Sequence, residues 1–382
     1  MNKKKESKVV PNVRFKGVTD DWKQRKLGDV CEVTMGQSPD GSTYSDEPSD
    51  YILVQGNADL KDGWVVPRVW TSQKTKTAQA GDLIMSVRAP VGAMGKTAYD
   101  IVIGRGVATI KGNEFIYQTL VKYDADGYWK KLAAGSTFES VNSNEVKGAI
   151  INVPQDIEEQ KKIGEYFLNL DHLITLHQQK NTRLIKLKKA MLEKMFPKKG
   201  SVIPEFRFNG FANAWEQRKL GDEAEEILAG GDIDKEKAVD DGVYPIYANA
   251  LTNDGIVGYY DDFYRVKAPA VTVTGRGEVG RARARMIDFT PVVRLLAVRS
   301  NHDCYFLENA INNHKVVVES TGVPQLTVPQ LSSYDICFPK DIVEERKIGT
   351  YFNQLDHLIT LHQRKIDMLK NMKKAMLDQM FI

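Results

Sequence analysis

Apolar residues recur at alternating steps of three and four in two long segments of the chain, residues 156–196 and 341–381. This spacing puts the apolar side chains on one side of a helix and is typical of a coiled-coil seam. Asp156 and Asp341 each follow a proline by two residues, acidic residues crowd both first turns, and lysines crowd both ends. We therefore predict two helices of about 41 residues, each about 60 Å long at 1.5 Å per residue.

The predicted seam has a polar centre, with a histidine at the same place in both helices. Such a polar step more often sets the register of two packed helices than supplies chemistry. We therefore interpret the seam as a spacer between the parts of the chain that the helices separate. Its residues are Ile163, Tyr166, Leu170, Leu173, His177 and Leu184 in the first helix, and Ile348, Tyr351, Leu355, Leu358, His362 and Leu369 in the second.

Both helices belong to an internal repeat. Residues 162–177 and 347–362 agree at 13 of 16 positions, with an offset of 185 residues. A shorter block, Arg-Lys-Leu-Gly-Asp at residues 25–29, returns 193 residues later. The material between the blocks does not repeat well. The chain is therefore a duplicated frame with two divergent inserts, which predicts a pseudo-two-fold body for two different ligands or two halves of one asymmetric ligand.

The inserts, residues 31–153 and 224–338, are predicted to be mixed α/β domains with short strands. Segments such as residues 82–87 and 270–274 are β-branched or apolar and are bounded by glycine, proline or charge. A weak correspondence between the inserts places an arginine in a glycine-bearing turn just after each of these strands. We therefore expect the two inserts to share a fold but not a ligand.

Basic residues concentrate at similar places in the two inserts. Residues 61–111 contain eight basic and three acidic residues, and residues 265–299 contain eight basic and two acidic residues. A local basic region can direct one face of a domain toward a polyanion such as DNA. The charge pattern therefore favours DNA contact by both inserts.

Motifs for catalysis are weak. Gly-Lys-Thr at residues 95–97 looks like the end of a phosphate-binding loop, but that motif needs glycine where the chain has Pro90, which lacks the required N–H. Asp40, Asp59 and Lys61 satisfy the loose spacing of a metal-dependent nuclease, although the Pro-Asp-Gly sequence around Asp40 favours a turn. The sequence contains no amino-methylation motif, GxSxG or HExxH. It therefore predicts binding rather than catalysis.

Composition predicts a soluble and cytoplasmic protein. The cysteines Cys31, Cys304 and Cys337 are isolated, which argues for a reducing compartment and against a structural zinc site. The N-terminus carries charge without an apolar run behind it, so we expect no signal peptide. No stretch approaches the roughly 18 consecutive apolar residues of a membrane span.

The order and spacing of the repeated motifs resemble the specificity subunit of a type I restriction–modification system. A Trp-x-Gln-Arg-Lys-Leu-Gly-Asp block, an insert and a long helix occur twice in this order, over nearly the whole chain. The motif residues of the first copy are residues 22–29, Pro154, Ile157, Glu159, Gln160, Ile163, Gly164, Phe167, Leu170 and Asp171. Those of the second are residues 215–222, Pro339, Ile342, Glu344, Glu345, Arg346, Ile348, Gly349, Phe352, Leu355 and Asp356. The Glu-Gln pair of the first copy is not kept in the second.

This resemblance implies an α/β (α+β) fold, with two similar mixed α/β target recognition domains joined by a pair of long antiparallel coiled-coil helices. The implied divisions are a disordered tail (1–9), a first target recognition domain (10–155), a first long helix with linker (156–202), a second target recognition domain (203–340) and a second long helix (341–382). Each recognition domain would read one half of a bipartite, asymmetric DNA sequence. The helix pair would fix the gap between the halves.

The resemblance also implies partners. The frame would dock two methyltransferase subunits, and two motor–nuclease subunits would join them when DNA is cleaved. The chain itself would carry no active site, metal or cofactor, because S-adenosylmethionine, ATP and Mg²⁺ would bind to the partner subunits. The expected DNA contacts are Lys74, Lys76, Arg88, Lys96, Arg105, Ser136 and Thr137 in the first insert, and Arg265, Lys267, Arg276, Arg281, Arg283, Ser320 and Thr321 in the second.

Two other functions remain open on the residues alone. An anti-restriction or DNA-binding decoy would dock the same partners without reading DNA, and its basic stretches would be dispensable for docking. A nuclease built on Asp40, Asp59 and Lys61 would cut DNA by itself with a metal ion, and Asp59→Ala would abolish the cutting.

An insertion of four residues near Gln179 tests the spacer role of the helices. It should lengthen the helix by about 6 Å and widen the gap in the DNA target by about one or two base pairs, while both half-site sequences stay the same. Methylome sequencing of host DNA measures the gap, and an unchanged gap would contradict a spacer.

Overall fold

The computed structural model describes residues 10–134, 139–250, 252–314 and 324–382. The chain forms two compact units: Met1–Gln178 with Arg364–Ile382, called the first unit, and Gln179–Gln363, called the second unit. Each unit therefore contains one insert, the N-terminal part of one long helix and the C-terminal part of the other. The predicted tail, residues 1–9, lies outside the described residues.

The first insert and its frame form short strands and helices. The strands are β1 (Lys23–Lys26), β2 (Glu32–Met35), β3 (Tyr44–Ser45), β4 (Tyr51–Val54), β5 (Leu60–Lys61), β6 (Trp64–Val65), β7 (Val69–Thr71), β8 (Thr77–Ala78), β9 (Leu83–Ser86), β10 (Met94–Lys96), β11 (Ile101–Ile103), β12 (Val107–Lys111) and β13 (Ile150–Val153). The helices are α1 (Leu27–Val30), α2 (Glu114–Ala125), α3 (Tyr128–Ala133), α4 (Ser143–Gly148) and the long α5 (Ile157–Met195). The sheets have the orders β2-β12-β9-β10-β6-β5, β3-β7-β4-β11-β8 and β1-β13.

The second copy follows the same course. Its strands are β14 (Glu216–Lys219), β15 (Ala224–Ala229), β16 (Tyr244–Tyr247), β17 (Ile256–Tyr260), β18 (Ala270–Val273), β19 (Ala282–Arg285), β20 (Thr290–Pro291), β21 (Leu296–Ser300) and β22 (Asp335–Phe338). Its helices are α6 (Leu220–Glu223), α7 (Cys304–Asn313), α8 (Val328–Ser332) and the long α9 (Ile342–Met380). The sheets have the orders β15-β21-β18-β19, β17-β16-β20 and β14-β22.

The two inserts share a fold, as the sequence predicts. The order β2-β12-β9-β10 in the first unit matches β15-β21-β18-β19 in the second, and the parallel pair β4–β11 matches the parallel pair β16–β20. The first unit adds the hairpin β5–β6 beside β10. Both inserts are mixed α/β, and the chain has the predicted internal repeat.

The repeated tryptophan explains why the frame motif recurs. Trp22 is 3% exposed and meets the ring of Phe115 at 5.5 Å, and Trp215 is 2% exposed and meets Phe306 at 5.8 Å. Large buried rings of this kind supply much of the apolar area that holds a small core together. The tryptophan thus attaches each short frame segment, residues 10–30 or 203–223, to the core of its own unit.

The long helices begin where the sequence predicts. The backbone N–H of Glu158 donates to the Asp156 side chain and that of Val343 to the Asp341 side chain, both at 2.9 Å. These aspartates satisfy N–H groups that have no partner inside the helix. The close approach of each helix to its insert requires glycine. A Cβ on Gly164 would lie 3.1 Å from the Phe115 nitrogen.

The helix segments within each unit run antiparallel. In the first unit, the ring of Phe167 meets that of Phe381 at 5.6 Å, and Asp171 pairs with Lys373 at 2.7 Å. In the second unit, Phe352 meets Phe196 at 6.1 Å, and Asp356 pairs with Lys188 at 2.7 Å. The same aromatic and ionic contacts therefore fix both copies.

The predicted seam is wrong at two positions. Leu173 and Leu358 are each 41% exposed, whereas Ile174 is only 8% exposed and packs in the core of the first unit. The buried face of each helix includes the phenylalanine that follows the predicted tyrosine. Phe167 and Phe352 are fully buried, whereas Tyr166 and Tyr351 are half-buried. The remaining predicted apolar seam residues are buried or half-buried: Ile163, Tyr166, Leu170, Leu184, Ile348, Tyr351, Leu355 and Leu369.

A buried ion pair joins the start of each copy to its long helix. Arg14 donates two hydrogen bonds to Glu159 at 2.8 and 2.7 Å, and Arg207 donates two to Glu344 at the same distances. Both glutamates are 2% exposed. Loss of one partner of such a pair leaves a buried charge uncompensated and typically destabilises a protein by about 3–5 kcal/mol. The sequence pattern assigned these glutamates only a favourable place near a helix N-terminus.

The second unit has a buried histidine between two carboxylates. His302 Nδ1 contacts Glu345 at 2.9 Å, and its Nε2 contacts Glu223, which also pairs with Arg218, at 3.0 Å. Burial lowers the pKa of His302, but the hydrogen bonds to both glutamates outweigh burial and raise the pKa above 6.5. Gly112 and Gln160 occupy the corresponding places in the first unit, so this interaction belongs to the second copy.

The His302 ion pairs should make stability depend on pH. A raised folded-state pKa means that the stabilisation is fully present below the unfolded pKa of 6.5 and is lost as pH rises through the folded pKa. We expect the difference in unfolding free energy between wild type and His302→Gln, measured in urea, to be largest below the unfolded pKa of 6.5 and to shrink as pH rises through the folded pKa. Glu223→Gln should reduce the same difference. A difference independent of pH would show that folding does not shift the pKa of His302.

Candidate nucleic-acid interface

The two turn arginines lie at equivalent places in the two units. Arg88 follows β9, and Arg276 follows β18, each in the connection to the next antiparallel strand. Gly92 donates its N–H to the Ser86 carbonyl at 2.9 Å, and Gly280 donates to the Thr274 carbonyl at 2.8 Å. The weak sequence correspondence between the two turns is therefore a true structural equivalence.

Each turn arginine is exposed and has the same kind of neighbour. Arg88 forms an antiparallel bridge with Ser140, and Arg276 forms one with Gln325. Arg276 also donates from Nη2 to the Gln325 amide at 3.4 Å. The bridged segments adjoin residues that lie outside the described part of the chain. Those residues include the predicted contacts Ser136, Thr137, Ser320 and Thr321, which the structure does not describe.

The other exposed predicted contacts are spread over both inserts. They are Lys74, Lys76 and Arg105 in the first unit and Arg265, Lys267, Arg281 and Arg283 in the second. Lys74 lies 5.9 Å from the ring of Tyr51, and Arg105 approaches the Ser38 hydroxyl at 3.4 Å. Both contacts leave the cation accessible to water and to a polyanion. These seven residues are therefore suited to phosphate contacts, and they do not form one cluster.

Lys96 differs from the prediction. It is 9% exposed, its Nζ pairs with Glu114 at 2.9 Å, and it lies 4.5 Å from the ring of Tyr117. Together with Trp64 and Lys373 it lines a cavity of about 350 Å³ in the first unit. A buried ammonium that is paired with a carboxylate does not offer a surface contact to phosphate. The prediction failed because the glutamate that pairs with Lys96 lies on α2, 18 residues away.

An arginine-bearing strand edge occupies the corresponding place in the second unit. Arg283 and Arg285 lie in β19 and Arg281 directly precedes it, so the alternation with alanine puts the three side chains on one face. Arg281 and Arg283 are half exposed, whereas Arg285 is 7% exposed and lies 3.7 Å from the ring centre of Tyr247. Arg285 is not among the predicted contacts, although the Arg-Ala-Arg-Ala-Arg alternation at residues 281–285 places it on this face.

Acidic neighbours limit the positive charge of this edge. Arg283 and Arg285 both pair with Asp254, at 2.9 and 2.6 Å, and Arg281 pairs with Glu278 at 3.0 Å. Burial raises the pKa of Glu308, and Arg283 is among the charges that oppose this rise. The acidic partners therefore offset part of the positive charge of this strand edge and fix the orientation of the arginine N–H donors.

The carboxylates of the alternative nuclease have structural roles. Asp40 accepts from the Ser42 N–H at 2.9 Å and its hydroxyl at 2.7 Å, and these hydrogen bonds lower its pKa. Asp59 accepts from the backbone of Gln55 and Gly56 at 2.7 and 3.3 Å. Within the described residues, no group of three or more His, Cys, Asp or Glu is placed to hold a metal ion. The same residues contain no helix that is long and apolar enough to cross a membrane.

Relatives of the chain are specificity subunits. A putative type I restriction enzyme MjaX specificity subunit of Methanocaldococcus jannaschii is 29% identical over 185 residues, 46% of this chain and 42% of that protein. A putative type I specificity subunit, S.MpnORF507P, of Mycoplasma pneumoniae is 30% identical over 37% of this chain and 39% of that protein. The match thus spans less than half the length of these two relatives. The type I restriction enzyme MjaIX specificity subunit of M. jannaschii is 22% identical over 95% of this chain and 93% of that protein.

A solved structure shares the fold. The crystal structure of a type I restriction–modification S subunit from M. genitalium has a TM-score of 0.74, covers 98% of this chain and 99% of that chain, and is 14% identical. The family model of the type I restriction modification DNA specificity domain matches residues 19–186 and again residues 213–371. Because these two matches cover well over half of the chain, the protein belongs to the type I restriction–modification DNA specificity family.

Proposed function

We propose that this chain reads a bipartite, asymmetric DNA target and directs adenine methylation or cleavage that partner subunits carry out. One observation carries the proposal: the same strand–turn–strand element presents an exposed arginine in both units, at Arg88 and Arg276, while the surfaces around it differ. A shared scaffold with different surfaces suits two readers of two different half-sites. In such a protein, phosphate contacts fix position and base contacts supply specificity.

The frame offers a surface that suits two copies of one partner. Residues 170–177 and 355–362 are identical in sequence, and each run buries its first leucine and exposes the next two. Leu173 and Leu358 are each 41% exposed, although they repeat the spacing of a buried seam. Exposed apolar side chains that recur in this way are typical of protein-binding surfaces. Two identical surfaces, one in each unit, support the docking of two methyltransferase subunits.

The chemistry is assigned to the partners. In the proposed complex the methyltransferase subunits use S-adenosylmethionine, and two motor–nuclease subunits use ATP and Mg²⁺. This chain supplies recognition and no catalytic group, and it acts in the cytoplasm on double-stranded DNA. The hydrogen bonds of Asp40 and Asp59 support this division of roles, because both carboxylates already hold backbone turns.

Reciprocal substitution of the turn arginines tests the reading of two half-sites. Arg276→Ala should weaken recognition of one half-site by roughly 1–3 kcal/mol if the side chain contacts a base, and Arg88→Ala should weaken the other half-site instead. The measurement is the methylated motif in host DNA, scored position by position for each variant. The two variants serve as controls for each other, because they remove the same charge from equivalent turns.

Uniform loss over all sequences would identify either arginine as a phosphate contact. Loss at the same half-site in both variants would contradict two separate readers.

Charge substitution of the repeated leucine tests the docking surface. Leu358→Glu should lower the number of methyltransferase subunits that copurify with the chain from two to one, because a carboxylate at a buried contact is strongly unfavourable. Leu173→Glu should have the same effect at the other unit, and the double variant should copurify with none. Native mass spectrometry measures the ratio. An unchanged ratio of two in the double variant would contradict docking on this surface.

A further inference from the structure

We propose that Arg283, held in place by Asp254, reads a guanine base in the half-site that the second unit contacts. This inference rests on the proposed function, and it selects one base-reading residue among several exposed cations. Three features of the second unit single out Arg283: an edge strand, a buried anchor and a turn in an uncommon backbone conformation.

The edge strand presents Arg283 toward an open face. In β19, Ala282 and Ala284 pack toward the core of the second unit, and Arg283 between them is on the opposite face. Its side chain is 51% exposed. The first unit has Gly95 at the corresponding position, where Leu60 of the hairpin β5–β6 covers the strand. The arginine-bearing face is therefore a feature of the second unit alone, as an asymmetric target requires.

Arg285 is the buried anchor of this face. Its guanidinium stacks on Tyr247 and donates from Nε to the Thr272 hydroxyl at 3.1 Å. It also donates from Nη1 to the Asp254 carboxylate at 2.6 Å and from Nη2 to the Asp254 carbonyl at 3.0 Å. These contacts occupy every nitrogen of the group. Arg285 therefore fixes the position of Asp254, and burial restricts the access of DNA to its two remaining N–H donors.

Asp254 has an uncommon backbone conformation that places its carboxylate between the two arginines. Asn253 and Asp254 are consecutive residues in the left-handed region, at φ 48° and 54°. Residues other than glycine adopt this region uncommonly, although Asn and Asp do so more often than most. Conformations of this kind concentrate at binding sites, where the surrounding contacts maintain them. Here the contacts to Arg285 maintain the turn.

The remaining donors of Arg283 match the edge of guanine. Its Nε forms an ion pair with the Asp254 carboxylate at 2.9 Å, and within the described residues neither Nη group has a hydrogen-bond acceptor. The two Nη groups thus remain as a planar fork. Such a fork donates to both the O6 and N7 atoms of guanine in the major groove, which is the most common specific contact between a side chain and a base. A carboxylate behind the guanidinium holds the fork in one orientation before DNA binds.

Methylome sequencing of hosts that express the full chain with its methyltransferase tests this role. Arg283→Lys keeps the charge but has no fork, and Arg283→Ala removes both. Both variants should lose the preference for a G·C pair at one position of one half-site by roughly 5- to 150-fold, the range of a bidentate contact. The gap and the other half-site should stay unchanged.

Two further variants separate base reading from other roles. Arg281→Ala removes a charge of nearly equal exposure two residues away, and it should lower methylation evenly without changing any base preference. Asp254→Asn should relax the same single position as the Arg283 variants, because Asp254 acts as a positioning residue. An even loss at all sequences in Asp254→Asn would indicate a structural role only.

The outcomes distinguish the two proposals. A wild-type chain that yields no bipartite motif would overturn the proposed function itself. A wild-type motif that stays unchanged in Arg283→Lys and Arg283→Ala, or that weakens evenly at every position, would overturn the assignment of Arg283 while the proposed function stands.

Discussion

The buried pair between arginine and glutamate, present once in each copy, is the interaction on which the rest of the structure depends. It joins the short frame segment to the first turn of the long helix, at Arg14–Glu159 and again at Arg207–Glu344. A bidentate pair with almost no solvent exposure permits little change of angle or partner. The tryptophan of each copy packs in the core of the same unit. The frame can therefore be duplicated almost unchanged while the inserts diverge.

The divergence of the inserts has a clear physical form. Both units build the same sheet order, but the strand after the turn arginine is covered in the first unit and open in the second. Leu60 packs on Gly95 in the first unit, whereas Arg283 and Arg285 share an aspartate at the same place in the second. A scaffold that keeps its backbone and changes its edge chemistry can specify two unlike half-sites. The buried His302 is a further difference of this kind.

Local patterns predicted most of the fold, whereas long-range pairing decided most of the site. The helix starts, the shared fold of the inserts and the equivalence of the two turn arginines were confirmed, because caps, periodicity and glycine-bearing turns are local signals. Leu173 and Leu358 were placed wrongly, since steps of three and four leave two adjacent helix faces possible. Lys96 failed because its acidic partner lies on another element. The Asn-Asp-Gly sequence at residues 253–255 signals a turn, but nothing local shows that Asp254 pairs with two arginines.

The central claim is that one chain specifies a DNA target with two separate halves. The most direct test is a single-molecule methylome of host DNA with and without this gene, in the presence of its methyltransferase. The account predicts a bipartite methyladenine motif with a constant gap that appears only when the gene is present. An unchanged methylome, with the chain expressed and bound to the methyltransferase, would contradict the account and favour a decoy that docks the same partners without reading DNA.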